Sequence, residues 1–342
     1  MTLERAAIEQ WVQTCLAALT AGDGIEALAG PPPKGSTPSA LDATISSITA
    51  RDGVEALAGS PPEGSTPSAL DATIGSITAR DVETLTDGLA EAVKITWSRG
   101  EWQGRDEINA NLQKYLAGQR VVRVFVRRLL IDVAQAVAAV EWVARYLDAA
   151  GQCHQLLGGV ALDFDDQGRL VLADIHLDMD RSGLVDDIEA DWPAESWQPG
   201  LTSGRPPSRA MNEQLLQAHA SAWSSHQVEN FAQVYHEEVH LVPPWAHVTG
   251  RAAIEAMIRY HFATFEATQV TIHRVIYDPA QPHFGVCQQT FACTNPETGQ
   301  RGQDSDFAFF EVCQGKLRYW RNYFDSQASV QDGYKELGPS SL

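Results

Sequence analysis

Apolar residues recur at helical spacing near the start of the chain. Ile8, Val12, Cys15 and Leu19 follow one another at steps of four, three and four residues, and Leu16 lies four residues after Val12. Because an α-helix repeats every 3.6 residues, this spacing places the five side chains on one face. The pattern predicts an amphipathic helix that opens the chain.

Two later regions show the same order of patterns. In the first, residues 82–98 and 104–118 precede four segments rich in Val, Leu, Ile and aromatic residues, at 122–133, 136–148, 154–164 and 169–180. Such segments, separated by turn residues, are typical of strands.

The second region repeats this order after residue 210. Residues 212–235 and 250–265 are helical in pattern, with a short strand at 238–244 between them, and four strands follow at 269–278, 283–294, 303–312 and 316–325. Helices followed by a meander of strands, twice over, predict an α+β protein with helices on one face of a mainly antiparallel sheet.

A tandem repeat separates the opening helix from the first strands. Residues 23–51 and 52–80 are identical at all but four positions, and both contain the sequence GSTPSALDATI. Pro, Gly, Ser and Thr dominate the start of that sequence, whereas Ser-Ala-Leu-Asp is suited to begin a short helix.

Composition excludes several classes of partner. The 342 residues include 44 acidic and 25 basic ones, for a net charge of −19, and no basic run breaks this excess. Such a surface repels phosphate backbones and anionic lipid, so we expect neither nucleic-acid nor membrane partners. The start of the chain does not have the pattern of a secretory signal, and no apolar run is long enough to span a bilayer.

The cysteines point to a reducing compartment. Their number, five, is odd and their spacing includes no CxxC pair, so we expect free and mostly buried thiols, a cytoplasmic location, no metal and no cofactor.

Two segments of the second region resemble a known superfamily. They are similar to SnoaL-like members of the nuclear transport factor 2 superfamily. The two segments are YHEEVHLVPPWAHVTGRAAIEAM at 235–257 and the closing segment FEVCQGKLRYWRNYFD at 310–325. The superfamily includes ketosteroid isomerase, scytalone dehydratase and limonene epoxide hydrolase. The resemblance implies a cone-shaped domain whose ligand lies between the helices and the concave sheet face.

The first region matches in register. QGRDEI at 103–108 parallels TGRAAI at 249–254, and GRLVLADIHLD at 168–178 parallels GKLRYWRNYFD at 315–325. The resemblance therefore implies two tandem cone-shaped domains, at 1–182 and 211–335, joined by a linker at 183–210.

The resemblance also gives the repeat an interpretation. In the superfamily the first helix leads through a short turn into a second helix, for which residues 82–93 are the counterpart. The two repeats would then be an insert of about 58 residues between these helices. Loop-closure entropy grows slowly with length, so such an insert is tolerated at an exposed site. We expect a surface appendage or a partly disordered segment, with helix swapping or partner docking as the alternative.

The candidate site follows from the inward direction that the resemblance implies for the second domain. The predicted catalytic residues are Asp306, Asp304, His240 and Asn322. The predicted substrate-binding residues are Trp223, Val242, Gln289, Phe291, Trp320 and Phe324. Two carboxylates in an apolar hollow repel each other and lose hydration, which raises at least one pKa into the range useful for acid–base catalysis.

Structural alternatives remain open for these residues. Asp304 and Asp306 follow a turn-like sequence and would be solvated if they ended a hairpin. His240 would be a hydrogen-bonded lining residue, and Trp223 and Trp320 would belong to the core or to the pocket wall.

Two named activities of the superfamily lack their residues here. The epoxide hydrolase set of Asp, Arg and Asp corresponds to Gln289, Phe291 and Asn322, and its water-positioning Tyr and Asn correspond to His240 and Val242. The carboxylate base of ketosteroid isomerase falls near Val242, whereas its acidic oxyanion donor falls on the strand face of Asp306.

The first domain offers less chemistry. Its closing strand places Ala173, Ile175 and Leu177 inward, and a Lys94–Glu141 pair is either catalytic or structural. The alternating Asp174, His176, Asp178 and Asp180 lie on the opposite face, where we expect solvent rather than a metal site, since strand neighbours of this kind lie ~7 Å apart.

Two functions follow from these patterns. The first is a cofactor-independent isomerase, cyclase or dehydratase that acts by general acid–base catalysis on a small, largely apolar, polyketide-like molecule. The second is a non-catalytic module that binds a ligand or a protein. In either case we expect the two domains to pair within the chain or through a homodimer.

Overall fold

The computed structural model describes residues 5–20, 86, 88–97, 100–117, 121–148, 150–185, 205–244 and 246–324. These residues form an α+β structure with two sheet-bearing halves, as the sequence predicts. The two 29-residue repeats and most of the predicted linker lie outside the described residues.

The first half contains two helices and a six-stranded sheet. Its elements are α1 (Arg5–Thr20), β1 (Leu89–Trp97), β2 (Gly100–Gln103), α2 (Arg105–Ala117), β3 (Val121–Asp132), β4 (Val137–Leu147), β5 (Cys153–Phe164) and β6 (Leu170–Leu184).

The second half repeats this order, and its described residues include a short helix before the first strand. Its elements are α3 (Arg209–Ser224), α4 (Phe231–Val234), β7 (Tyr235–Val242), β8 (Val248–Thr249), α5 (Arg251–Thr264), β9 (Glu266–Tyr277), β10 (Phe284–Thr294), β11 (Arg301–Cys313) and β12 (Lys316–Tyr323). A single 3₁₀ turn at Val228–Asn230 precedes α4.

Both sheets have the same strand order. The first is β2-β1-β6-β5-β4-β3 and the second is β8-β7-β12-β11-β10-β9. The β1–β6 and β7–β12 pairs are parallel and the other pairs are antiparallel. In each half the last strand therefore pairs with the first one, which joins the ends of the half into one sheet.

The start of the first sheet differs from the prediction. Residues 82–93 were expected to form a helix, but β1 begins at Leu89 and pairs with β6 from Leu170 onwards. Leu89, Ala90 and Val93 are buried in this strand. From Leu89 onwards the helical pattern was overridden, because β6 offers backbone partners that isolated sequence windows cannot reveal.

In each half, an equivalent glycine forms the turn that leads into the middle helix, α2 or α5. Gly104 and Gly250 both have φ of +87°, and their amides donate to the Val93 and Val239 carbonyls at 2.8 Å. These glycines are 146 residues apart, whereas the first residues of α1 and α3 are 204 apart. The difference of 58 residues equals two 29-residue repeats, and it lies between α1 and β1.

The helices of each half cover one face of its own sheet. In the second half Leu216 of α3, Ile258 of α5 and Trp320 of β12 belong to one buried cluster. In the first half Ile8 and Val12 of α1 pack with Val140 of β4 in the same way. The predicted apolar face of the opening helix is thus confirmed at Ile8 and Val12.

The other faces of the two sheets pack against each other. Leu130, Val143 and Leu157 of the first sheet share a buried cluster with Phe307 and Phe309 of the second. The two sheets are close together at Gly159, where a Cβ atom would lie 2.5 Å from Cδ1 of Phe307. Glycine is required at this position because a side chain would overlap the phenyl ring.

Two aspartates exchange hydrogen bonds between the halves. Asp132 accepts from the Tyr277 amide at 3.2 Å, and Asp278 accepts from the Ile131 amide at 3.1 Å. Asp132 pairs with Arg209 at the start of α3, and Asp278 pairs with Arg5 at the start of α1, both at 2.6 Å. We call these two reciprocal contacts the aspartate latches.

A buried ionic cluster also lies between the sheets. Glu141 is fully buried, accepts from the Tyr323 hydroxyl at 2.7 Å and lies 3.3 Å from Arg127. The expected Lys94–Glu141 pair does not form, because Lys94 contacts Glu101 instead, at 2.5 Å. Glu141 lies on the face of β4 that meets the other half.

The acidic residues of β6 were expected to lie on a solvated face, and the structure contradicts this expectation. Asp178 is fully buried and His176 is 8% exposed. His176 stacks on Phe307 of the second half, and Asp174 accepts from Gln288 at 2.8 Å. Their predicted direction was correct, but the second sheet occupies the space where solvent was expected.

Four of the five cysteines lie among residues whose side chains are described. Cys153, Cys287, Cys293 and Cys313 are free and buried, as predicted. Among the described helices, none is both long enough and apolar enough to cross a membrane.

Candidate functional site

One buried carboxyl group lies on the helix-covered face of the second sheet. Asp306 is on β11, two residues before Ala308 and four before Phe310, both of which belong to the helix-packed core. Because strand side chains alternate, Asp306 shares their face. It is 3% exposed, so the predicted inward direction is confirmed and the solvated alternative is wrong for this residue.

Two side-chain amides hold one oxygen of this carboxyl group. Gln289, directly opposite on β10, donates through Nε2 to Oδ2 of Asp306 at 2.8 Å. Asn322 on β12 donates through Nδ2 to the same oxygen. The other oxygen, Oδ1, has no hydrogen-bond partner among the described residues. We call these three residues the Asp306 trio.

Burial raises the pKa of Asp306 to about 7. The hydrogen bonds from Gln289 and Asn322 and the charge of His176 act in the opposite direction, and Asp304 adds to the rise. Loss of hydration penalises the carboxylate more than two amide donors recover. At neutral pH both protonation states of Asp306 are therefore populated.

Asp304 lies on the same face of β11, nearer its start. It pairs in register with Phe291 and is only partly buried. Its contribution to Asp306 is that of a neighbouring negative charge. Of the two predicted carboxylates, only Asp306 is in a dry environment.

Aromatic side chains line the interior beside the trio. Trp223 on α3 contacts Phe291 on β10 edge to face, with ring centroids 5.2 Å apart. Trp320, two residues before Asn322, stacks on His219 at 4.4 Å, and Phe324 is 8% exposed. The predicted inward directions of Trp223, Phe291 and Trp320 are confirmed by their place in this cluster.

The sequence analysis missed a second polar pair in this interior. Nδ1 of His219, on α3, lies 3.3 Å from the Tyr235 hydroxyl, and both side chains are buried. Burial lowers the pKa of His219 to about 3 and raises that of Tyr235. His219 is thus neutral at physiological pH. The signal was its spacing, since Leu215, His219 and Trp223 lie four residues apart on one helix face.

His240 and Val242 do not face this interior. On β7, Leu241 belongs to the helix-packed core, so its two neighbours point to the other face. Val242 packs with Tyr319 and Phe284 there, and His240 contacts His247. The prediction that both lie inward is wrong, because the parallel pairing of β7 with β12 aligns Leu241, not its neighbours, with Trp320.

The equivalent positions of the first half lack the trio. The Trp142–Gly158 pair occupies the place of Gln289–Asp306, since β4 and β5 are the counterparts of β10 and β11. A Cβ atom on Gly158 would lie 2.9 Å from Cζ2 of Trp142. An indole ring therefore covers this spot in the first half, and of the two halves only the second carries the carboxyl group there.

A family comparison bears on the second half of the chain. Residues 216–320 match the model of the SnoaL-like domain family. A search of curated proteins gave no match.

Three solved structures illustrate the likeness. TsrD from Streptomyces laurentii is 19% identical over 37% of this chain and 96% of that chain, with a TM-score of 0.33. A hypothetical protein with a ketosteroid isomerase-like fold from Catenulispora acidiphila, in complex with trimethylamine, is 13% identical over 38% of this chain and 96% of that chain, with a TM-score of 0.33. An LEH-like epoxide hydrolase from M. tuberculosis is 18% identical over 38% of this chain and 95% of that chain, with a TM-score of 0.34. The family match confirms the resemblance over residues 216–320. In its second half, this chain is therefore similar to SnoaL-like domains.

Proposed function

We propose that the second half is a cofactor-independent enzyme in which Asp306 moves a proton to or from a small, largely apolar molecule. The reaction class is isomerisation, cyclisation or dehydration. The observation that carries this proposal is the Asp306 carboxyl group, which is held at one oxygen and has no partner within the described residues at the other.

The trio has the properties that proton transfer needs. Gln289 and Asn322 fix the carboxyl group through Oδ2, so Oδ1 is the oxygen that would meet a substrate proton. A general acid or base works best when its pKa lies near the working pH, and that of Asp306 is about 7. The amide donors also stabilise the carboxylate that remains when the proton leaves.

The surrounding side chains favour an apolar or aromatic substrate. Trp223, Phe291 and Trp320 offer ring faces and edges beside the trio. A flat or cyclic molecule would bury its apolar surface against these rings while it presents one polar atom to Asp306. A polyketide-like compound meets this description.

The experiment is proton abstraction from 5-nitrobenzisoxazole, a small aromatic carbon acid. A base removes the ring C–H proton, the N–O bond breaks, and a coloured nitrile phenolate forms. We expect saturable turnover by the full chain, with a rate that rises with pH around an apparent pKa near 7.

Asp306→Asn is the decisive variant. It keeps the shape of the side chain but cannot accept the proton, so we expect a loss of about 10²-fold or more. The matched control is Glu297→Gln, which removes an exposed carboxylate on the turn between β10 and β11. Equal rates in the wild type and Asp306→Asn would refute the proposal.

A non-catalytic ligand-binding module is the second candidate. It is favoured by the mutual packing of Trp223, Phe231 and Phe262, which fills part of the interior with aromatic rings. Titration of the protein with apolar ligands, followed by tryptophan fluorescence, distinguishes the binding module from the enzyme. Tight binding that Asp306→Asn leaves unchanged, together with no turnover in the wild type, would establish the module instead.

A further inference from the structure

Two imidazole rings meet at the β7–β8 edge of the second sheet. Nδ1 of His240 lies 3.2 Å from Nε2 of His247, and the Thr249 hydroxyl oxygen lies 3.4 Å from the same Nδ1. His247 is exposed and His240 is partly exposed. The pair is on the face of β7 that points away from the helix-packed core, so it is separate from the Asp306 trio.

The first half carries an ion pair at the equivalent positions. Lys94 and Glu101 lie 146 residues before His240 and His247, and Nζ of Lys94 is 2.5 Å from Oε2 of Glu101. The strand register is also equivalent, since Lys94 pairs with Gln103 and His240 with Thr249. This cross-strand position therefore brings two side-chain ends into contact in both halves.

The two ring nitrogens that meet in the second half suit a cation. Nδ1 of His240 and Nε2 of His247 either share one proton between them or both present lone pairs to a metal ion.

We propose that His240 and His247 form a binding site for a divalent transition-metal ion such as Ni²⁺, Cu²⁺ or Zn²⁺, which favour imidazole nitrogen. Two metal–nitrogen bonds of ~2.05 Å at a tetrahedral angle separate the nitrogens by about 3.3 Å. The 3.2 Å between Nδ1 and Nε2 already matches this spacing.

The ligand chemistry balances without an additional reactant. With a metal ion bound, His247 would carry its proton on Nδ1 and His240 would carry its proton on Nε2, so that the two facing nitrogens donate lone pairs. Among the described residues, no group of three or more His, Cys, Asp and Glu side chains is arranged around a metal position. Water and the Thr249 hydroxyl would complete the coordination.

Isothermal titration calorimetry with NiCl₂ and ZnCl₂, on the full chain at pH 7.5, tests the site. We expect one saturable binding event. Titration with Cu²⁺ in an electron paramagnetic resonance experiment would show coupling to two imidazole nitrogens.

The matched variant is His240→Lys with His247→Glu. It installs the ion pair that the first half already carries at these positions, so we expect it to fold. Metal affinity should fall by at least about tenfold, since even outer-shell changes at metal sites cost 10–100-fold. His273→Gln, which removes an exposed imidazole hydrogen-bonded to Thr290 on the same sheet, should leave the binding unchanged.

Three outcomes would overturn the proposal. They are the absence of a saturable event in the wild type, unchanged affinity in the double variant, and a copper spectrum with one nitrogen or none. If circular dichroism shows the double variant to be unfolded, His247→Gln decides, because His247 is exposed. Unchanged affinity in that single variant is equally contrary to a two-histidine site.

Discussion

Asp306 combines the proposed function with a cost to stability in one residue. Its carboxyl group has a folded-state pKa of about 7, well above the ordinary value of 3.8. The folded state therefore binds a proton more tightly than the unfolded state does. Stability from this group is complete below pH 4 and is lost as the pH rises to about 7.

This difference predicts how Asp306→Asn changes stability with pH. The variant lacks the ionisation, so its free energy of unfolding relative to the wild type should rise between pH 4.5 and 8, by an amount on the order of 3 kcal/mol, since pH 4.5 lies roughly 2.5 units below the folded-state pKa. Urea unfolding at the two pH values measures it. Glu297→Gln should show no such trend, and a flat difference for Asp306→Asn would contradict the raised pKa.

Parity along strands made part of this site predictable from the sequence. Asp306, Gln289 and Asn322 were expected to point inward, and in the structure both amides donate to one carboxyl oxygen of Asp306. His240 and Val242 were assigned to the wrong face of β7, because the register of β7 depends on its partner β12.

At the level of elements, β5 and β11 are in close contact where the two sheets pack against each other. Gly159 lies against Phe307, and His176 of the neighbouring strand stacks on the same ring at 5.2 Å. Phe307 follows Asp306 directly, so the first half supports the strand that carries the candidate site from its other face.

Gly159→Ala tests this close approach. The new Cβ atom would lie 2.5 Å from Phe307, so the sheets must separate or the ring must move. We expect the free energy of unfolding to fall by about 1–3 kcal/mol, the usual cost of overpacking. Guanidinium unfolding measures the change. Phe307→Leu in the Gly159→Ala background should recover part of the loss, and no loss in the single variant would show that the interface is loosely packed.

Element prediction succeeded where a segment is long and patterned and failed where a neighbour decides. Residues 250–265 were predicted as a helix, and α5 covers Arg251–Thr264. Residues 82–93 also look helical, yet Leu89 begins a strand because β6 pairs with it. The direction of Asp174 and His176 was correct, but no local pattern indicates that a second sheet covers them.

For the whole molecule, the aspartate latches connect each sheet to the opening helix of the other half. Asp132 and Asp278 begin the same short sequence, Asp-x-Ala-Gln, at 132–135 and 278–281. Each aspartate joins an arginine at a helix start with a backbone amide of the other sheet. The reciprocity predicts that the two halves unfold together.

Asp132→Asn should test this coupling. Asp132 is 1% exposed in its side chain and pairs with Arg209 at 2.6 Å, so breaking the pair should cost about 3–5 kcal/mol. Glu255→Gln, which removes a surface pair with Arg251, should cost no more than about 1 kcal/mol. Urea unfolding, followed by fluorescence and by circular dichroism, measures both losses. Two separate transitions in the variant or the wild type would show that the halves are independent.

The sequence by itself determined most of the order of helices and strands and the duplicated series, and its resemblance to a superfamily implied the inward row of Asp306 and Asn322. The order of elements depends on periodicity along the chain, which is a local property. Only the tertiary structure decided that Asp306 is dry, that His240 meets His247 on the outer face, and that Glu141 lies between two sheets. Burial and electrostatic environment depend on what packs against a residue, and here the packing partners are up to 273 residues apart in the chain.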